Sequence, residues 1–275
     1  MEQTVYFHDG LGHRIAGLLA TPERRTDRVA VLCHGFLSHK NSTTNKTLTR
    51  LLNERDIATF RFDFFGHGES QGPFEDITTT IGIAQATAAI EEAASRGFGH
   101  IGLVGSSFGG LVSILTAARW PESHGLRRAS GRDLPGLACL ALKCPVVDFG
   151  EELRLEFGQE GIAEWKATDT IPNILGGTGR IHLRYAFYED ALELTAYEPA
   201  RLIKMPTLIV QGECDELVPL HQSRRLFELL SGLKRLELLP GADHQFSKGD
   251  DFRAMTSLLV DWVSEHLIGG PIKTE

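Results

Sequence analysis

What the sequence has little of narrows the field first. It holds four cysteines, Cys33, Cys139, Cys144 and Cys214, and none forms a C-x-x-C pair or a zinc-ligand spacing. That removes the common zinc modules. Three of the four lie in or beside apolar runs, which predicts buried thiols and a reducing, cytoplasmic setting. Positive charge is also short, with 28 Lys and Arg against 36 Asp and Glu and a formal net charge of -8. Such a balance argues against nucleic acid or an anionic membrane as partner. No stretch reaches the roughly 18 apolar residues that a membrane span needs. The opening residues, Met1-Glu2-Gln3-Thr4-Val5-Tyr6-Phe7, lack a basic region followed by an apolar one, so no secretory signal is expected there. Internal repeats and low-complexity segments are absent.

What is present suits one large α/β domain. The 275 residues are 42% hydrophobic and 23% charged, an ordinary soluble composition with room for a sizeable core. Strand patterns fall at 3–8, 13–20, 28–33, 57–62, 100–105, 136–142, 206–211 and 234–239. Helical patterns fall at 43–54, 77–96, 108–119, 220–230 and 252–267. Their alternation predicts a mostly parallel sheet with helices on both faces. Between Pro145 and residue 200 the alternation stops. Residues 148–200 therefore read as a cap or lid insertion over the carboxyl ends of the strands, with 1–147 and 201–275 as the core domain.

The chemistry concentrates in Gly105-Ser106-Ser107-Phe108-Gly109, a G-x-S-x-G motif between a strand and a helix. In that context the motif predicts a nucleophile elbow that projects the Ser107 hydroxyl from the sheet. A serine needs a base, and the base needs an orienting acid. The strand at 206–211 runs into Gly212-Glu213-Cys214-Asp215-Glu216, and the strand at 234–239 into Gly241-Ala242-Asp243-His244. Both leave the sheet at the end where the elbow lies. We therefore assign Ser107 as nucleophile, His244 as general base and acid, and Asp215 as the carboxylate that fixes the imidazole.

Each assignment has competitors. Glu213 and Glu216 read as solvated loop carboxylates. Asp243 adjoins His244 and reads as a turn residue. Among the other histidines, His34 reads as a brace for the loop after its strand, His67 sits in a glycine turn, and His221 falls at an exposed helix start. For the oxyanion, the backbone N–H of Phe108 follows the nucleophile at a helix N-terminus. Phe36, in the loop after the strand at 28–33, is the positional choice for the second donor.

Five segments together resemble the α/β-hydrolase family. They are His34-Gly35-Phe36, Asp63-x-x-Gly66-His67-Gly68-x-Ser70, Gly105-x-Ser107-x-Gly109, Gly212-x-x-Asp215 and Gly241-x-Asp243-His244. The resemblance spans nearly the whole chain and implies an eight-strand-type sheet with a small cap. The Gly66-His67-Gly68-Glu69-Ser70 turn is similar to one in bacterial esterases, monoglyceride-lipase-like enzymes and serine aminopeptidase (S33) relatives, and reads as structural. Within the family the chain is most similar to bacterial carboxylesterases of the cinnamoyl or feruloyl type. In those, a cap tyrosine meets the phenolic hydroxyl. At that place this chain has Ile181-His182-Leu183-Arg184, followed by Tyr185 and Tyr188.

The expected activity is hydrolysis of small carboxylic esters through an acyl-enzyme on Ser107, with no metal or organic cofactor. Serine at the elbow argues against dehalogenases, which use a carboxylate there, and dienelactone hydrolases, which use cysteine. Thioesterase, monoglyceride lipase, aminopeptidase and carbon–carbon hydrolase readings stay open. An aminopeptidase would need an anionic subsite, for which Glu151, Glu152, Glu156 and Glu160 are at hand. A ligand-binding receptor on a hydrolase scaffold is the non-enzymatic alternative. Trp165, Tyr185 and Tyr188 are candidates to line a substrate pocket, with packing in the cap's own core as the rival role. Gly176, Gly177 and Gly179 read as a hinge or a loop. Both monomer and homodimer fit the sequence.

Overall fold

The structure is a computed structural model that describes residues 1–120, 134–171 and 182–269. Eight strands form one sheet: β1 (Glu2–His8), β2 (Arg14–Ala20), β3 (Arg28–Cys33), β4 (Ala58–Phe62), β5 (His100–Ser106), β6 (Leu137–Lys143), β7 (Thr207–Gly212) and β8 (Lys234–Leu239). Their order is β1-β2-β4-β3-β5-β6-β7-β8. β2 runs antiparallel to both β1 and β4, and every other pairing is parallel.

The strand residues alternate between two apolar layers. In β3, Val29, Val31 and Cys33 face one layer, and Ala30 and Leu32 face the other. Period-two alternation with both faces covered is why the central strands read as continuous apolar runs. One layer is closed by α2 (Thr79–Ser95) and α3 (Phe108–Arg119). The other is closed by α1 (Thr43–Asn53) and α8 (Gly249–Ile268). The helices start where side chains can satisfy free amides: Ser42 caps α1 and Thr78 caps α2.

Chain order reverses at β3, which has β4 on one side and β5 on the other. Ligands in such sheets bind beyond the carboxyl ends of the strands at this reversal. The His34 loop and the β5–α3 turn both emerge there. On the far side, α7 (Leu220–Leu229) joins β7 to β8.

Residues 148–200 are more regular than their sequence suggests. They form α4 (Phe149–Thr168), α5 (Ala186–Glu193) and α6 (Tyr197–Ala200). α4 is broken at Gly158, whose φ of 62° lies outside helical space. The break resets the phase of the apolar positions, so no single 3.6-residue pattern runs through the helix. Gly176, Gly177, Gly179 and Ile181 lie outside the described residues.

Candidate active site

Ser107 sits at φ 52° and ψ -117°, a conformation that costs energy for any residue with a Cβ. Its surroundings hold it there. The Ser107 N–H donates to the Lys143 carbonyl at 2.9 Å. The Ser107 carbonyl accepts from Gly110, Leu111 and Val146 at 2.8, 3.2 and 3.2 Å. The two motif glycines make the turn possible sterically. A Cβ on Gly109 would lie 2.3 Å from the Cys33 carbonyl oxygen, and one on Gly105 would lie 2.4 Å from the Gly109 oxygen. Side chains at either position would push α3 away from the sheet.

Asp215 follows β7, and His244 follows the neighbouring parallel strand β8. The two side chains meet: His244 Nδ1 lies 2.9 Å from both carboxylate oxygens of Asp215. Both are almost sealed from solvent, His244 at 4% and Asp215 at 1% side-chain exposure. Asp215 Oδ1 also accepts from the amides of Leu217 and Val218 at 3.0 and 2.8 Å, and Oδ2 accepts from Gln211 Nε2 at 2.6 Å. Burial on its own would raise the Asp215 carboxyl. The His244 hydrogen bond and charge, the Val218 amide and the Cys144 thiol outweigh it and hold the group below its ordinary value. An ionised acceptor at Nδ1 places that ring proton on Nδ1 and leaves Nε2 as the basic nitrogen.

Ser107, His244 and Asp215 all border one cavity of about 820 Å³. Its walls include Phe36, Phe149, Leu155, Leu217 and Phe252, with Glu152, Glu156 and Glu216 as acidic members. Phe36 lines the cavity. Phe108 points its ring underneath, where Phe36, Phe149 and Phe187 pack against it at centroid distances of 5.6, 6.0 and 6.2 Å. Among the described residues, the backbone amides of Phe36 and Phe108 have no hydrogen-bond acceptor.

The competing residues have other work. The His34 ring donates from Nδ1 to the Gly35 carbonyl at 2.8 Å and accepts at Nε2 from the Phe64 amide at 3.0 Å. Burial and neighbouring His67 push it down to about 3, so it is a neutral brace. His67 donates to the Phe65 carbonyl at 2.9 Å. His221 is exposed and faces Glu151 at 3.0 Å. Asp243 accepts from the Ser247 amide at 2.8 Å and closes the turn after β8. Glu216 accepts from the His244 amide at 3.2 Å, and Glu213 is exposed.

Trp165, Tyr185 and Tyr188 do not border the cavity. Trp165 is fully buried and donates from Nε1 to the Leu183 carbonyl at 2.7 Å. Its ring packs on Tyr185 and Tyr188 at 5.8 and 6.0 Å. These three aromatics pack on one another inside the 148–200 segment, and Phe157 of α4 joins them 6.0 Å from Trp165.

Two site residues, Lys143 and Gln211, escape a reading of the sequence. Lys143 Nζ donates to the His244 carbonyl at 2.7 Å and pins that loop from below. Gln211 bridges Asp215 to Ser223, whose hydroxyl donates to Gln211 Oε1 at 2.8 Å. A polar residue ending an apolar strand is the signal both leave behind. Glu152 is one of the four α4 glutamates named for an anionic subsite, and nothing in their spacing sets it apart from the other three. Its Oε1 is buried and has no hydrogen-bond partner. Burial pushes its carboxyl well above the ordinary range, and Asp215, Asp148, Glu151 and Glu156 push it the same way.

One group among the described residues has metal-ligand spacing, Cys144, Asp215 and His244, with atoms within 4.8 Å of one another. Burial raises the Cys144 thiol far above its ordinary value, and Asp215 is already engaged with His244. The hydrogen-bonded Asp215–His244 pair thus has a neutral thiol beside it. No described helix is long and apolar enough to cross a membrane.

A model of the alpha/beta hydrolase family matches residues 30–254. The mitochondrial palmitoyl-protein thioesterase ABHD10 of Homo sapiens is 25% identical over 232 residues, covering 84% of this chain and 71% of that protein. The monoacylglycerol lipase of Mycolicibacterium smegmatis is 23% identical, covering 93% of this chain and 95% of that one. Among solved structures, Est1E from Butyrivibrio proteoclasticus with ferulic acid bound superposes with a TM-score of 0.78 at 23% identity. It covers 96% of this chain and 99% of its own.

Proposed function

The chain belongs to the alpha/beta hydrolase family, and on that premise we propose that it cleaves small carboxylic esters through an acyl-enzyme on Ser107. One observation carries this reading: a histidine locked by a buried carboxylate borders the same cavity as a serine at a strained strand-to-helix turn. In the reaction, His244 Nε2 takes the Ser107 proton as the hydroxyl attacks the ester carbonyl. Asp215 stabilises the imidazolium. The amides of Phe36 and Phe108 face the negative oxygen of the tetrahedral intermediate, and the N-terminus of α3 adds its dipole. His244 then protonates the leaving alcohol. A water, deprotonated by the same nitrogen, releases the acid.

Residues 148–200 act as a cap in this reading. α4 supplies Phe149, Glu152, Leu155 and Glu156 to the cavity wall. Thioester cleavage is the second reading, favoured by the similarity to a palmitoyl-protein thioesterase. Initial rates on p-nitrophenyl esters from acetate to palmitate, methyl ferulate and an acyl thioester, with wild type and Ser107→Ala, test both. We expect serine-dependent release that peaks on short oxygen esters. Rates equal to those of Ser107→Ala across the whole panel would overturn the proposal.

A further inference from the structure

The shared cavity is acidic where α4 closes it. Glu152, Glu156 and Glu216 line it together with Asp215. Asp215 is committed to His244, and Glu216 accepts from the His244 amide. The cationic and basic groups along the wall do not answer Glu152. Lys143 donates to the His244 carbonyl and lies over the Phe246 ring at 5.4 Å. His34 is held neutral, and His39 accepts from the Asn41 amide through Nδ1. Glu152 Oε1 is thus a buried acceptor with no donor among the described residues.

Glu152 is half-buried, but a charge on its sealed, unpartnered oxygen is costly, and the protein leaves two ways to relieve it. A proton can neutralise it, or a cation can enter the cavity and pair with it. The burial of the group and the surrounding carboxylates of Asp148, Glu151, Glu156 and Asp215 favour the proton when the cavity is empty. His221 is exposed and its ring faces Glu151, not Glu152.

We propose that Glu152 is a specificity-determining subsite for a protonated amine carried by the substrate. On the hydrolase reading above, the substrate is then an ester with an alkylammonium group on its acyl or alcohol part. The ammonium displaces the proton: the amine arrives as R–NH3⁺, the Glu152 carboxyl becomes a carboxylate, and one proton leaves to solvent. A neutral hydroxyl gains one hydrogen bond there but no charge pairing. An anionic group meets a Glu152 carboxyl with no positive charge to offer and the carboxylates of Asp215 and Glu216 on the same wall, and is repelled.

Calorimetric titration tests this without turnover. The probes are n-hexylammonium, hexan-1-ol and hexanoate, each titrated into wild type, Glu152→Gln and Glu160→Gln in two buffers of different ionisation enthalpy. Glu160 is exposed on the same helix. We expect hexylammonium to bind wild type at least about ten-fold more tightly than hexan-1-ol, with net proton release, and hexanoate most weakly. Glu152→Gln should lose both the preference and the proton release, and Glu160→Gln should keep both. The proposal fails if hexan-1-ol or hexanoate matches hexylammonium on wild type, if hexylammonium does not bind, or if the preference survives Glu152→Gln. The wild-type ranking alone can overturn it, so it does not depend on the folding of a variant. Loss of the hydrolase reading would show instead as turnover independent of Ser107.

Discussion

Two carboxyl groups on the cavity wall are shifted in opposite directions, Asp215 down and Glu152 up, and substitution separates them. Asp215 is ionised and accepts from His244 Nδ1. Asn in its place presents an amide that can no longer stabilise the imidazolium or enforce the tautomer. Loss of this partner typically costs about 10⁴-fold in kcat. We expect Asp215→Asn to fall by that order on any ester that wild type cleaves, with thermal stability changed far less than activity. Glu152 predicts the opposite pattern. Its folded-state value lies well above the ordinary 4.5, so the native state keeps a proton that the unfolded chain releases. For such a group, stability is fully present below about pH 4.5 and is lost as pH rises toward the raised value. Glu152→Gln should therefore melt higher than wild type at pH 8, with the gap closing toward pH 4.5. A Tm difference that is flat with pH would show that the carboxyl is not perturbed. A residue that costs stability and has no partner is what a binding site looks like before its ligand arrives.

At the scale of elements, the β5–α3 junction explains why part of the site is legible in the sequence. Gly105 is required by the Gly109 carbonyl and Gly109 by the Cys33 and His34 carbonyls, so two glycines at fixed spacing mark the turn in the sequence. Asp215 and His244 are legible for a related reason, since parallel strands β7 and β8 must deliver their following loops to one end of the sheet. The α4–α5 pair is different. Whether Trp165, Tyr185 and Tyr188 face a ligand or each other depends on the angle at which two helices meet, and no residue spacing encodes that angle. Glu152 is hidden likewise, because burial of one glutamate among several is a tertiary fact. The junction makes its own prediction. Gly109→Ala places a methyl group within 2.3 Å of the Cys33 carbonyl oxygen and 2.4 Å of the His34 carbonyl oxygen. Helix α3 has to move outward, which shifts the Phe108 amide and Ser107 together. We expect loss of soluble yield, or a folded protein whose kcat drops by at least about 10²-fold, the cost of removing one oxyanion donor. A Gly109→Ala enzyme with wild-type kcat would refute the steric account.

For the whole molecule, the remaining question is what fixes the 148–200 segment to the sheet. Beside hydrogen bonds such as Thr80 to Asp190, two kinds of contact can be weighed against each other. Arg184 reaches Asp76 at 2.5 Å, Asp169 at 3.1 Å and Glu75 at 3.4 Å, and all four side chains are exposed. Exposed ion pairs are screened and contribute little. Phe187 of α5 is fully buried, with its ring 5.2 Å from Phe36, 5.1 Å from Phe149 and 6.2 Å from Phe108. That cluster joins the segment, the loop after β3 and the start of α3 in one apolar contact directly beneath the cavity. Truncating a buried phenylalanine costs about 3–5 kcal/mol. In a domain of this size each kcal/mol lowers Tm by roughly 2–4 °C. Phe187→Ala should therefore melt markedly lower and also lose activity, because Phe36 loses the ring that braces its loop. Arg184→Ala should change neither by much, and its small effect should vanish in high salt. If Arg184→Ala proved the more damaging variant, charge and not packing would hold the segment over the cavity. Ester turnover would then fall steeply with ionic strength, which packing through Phe187 does not allow.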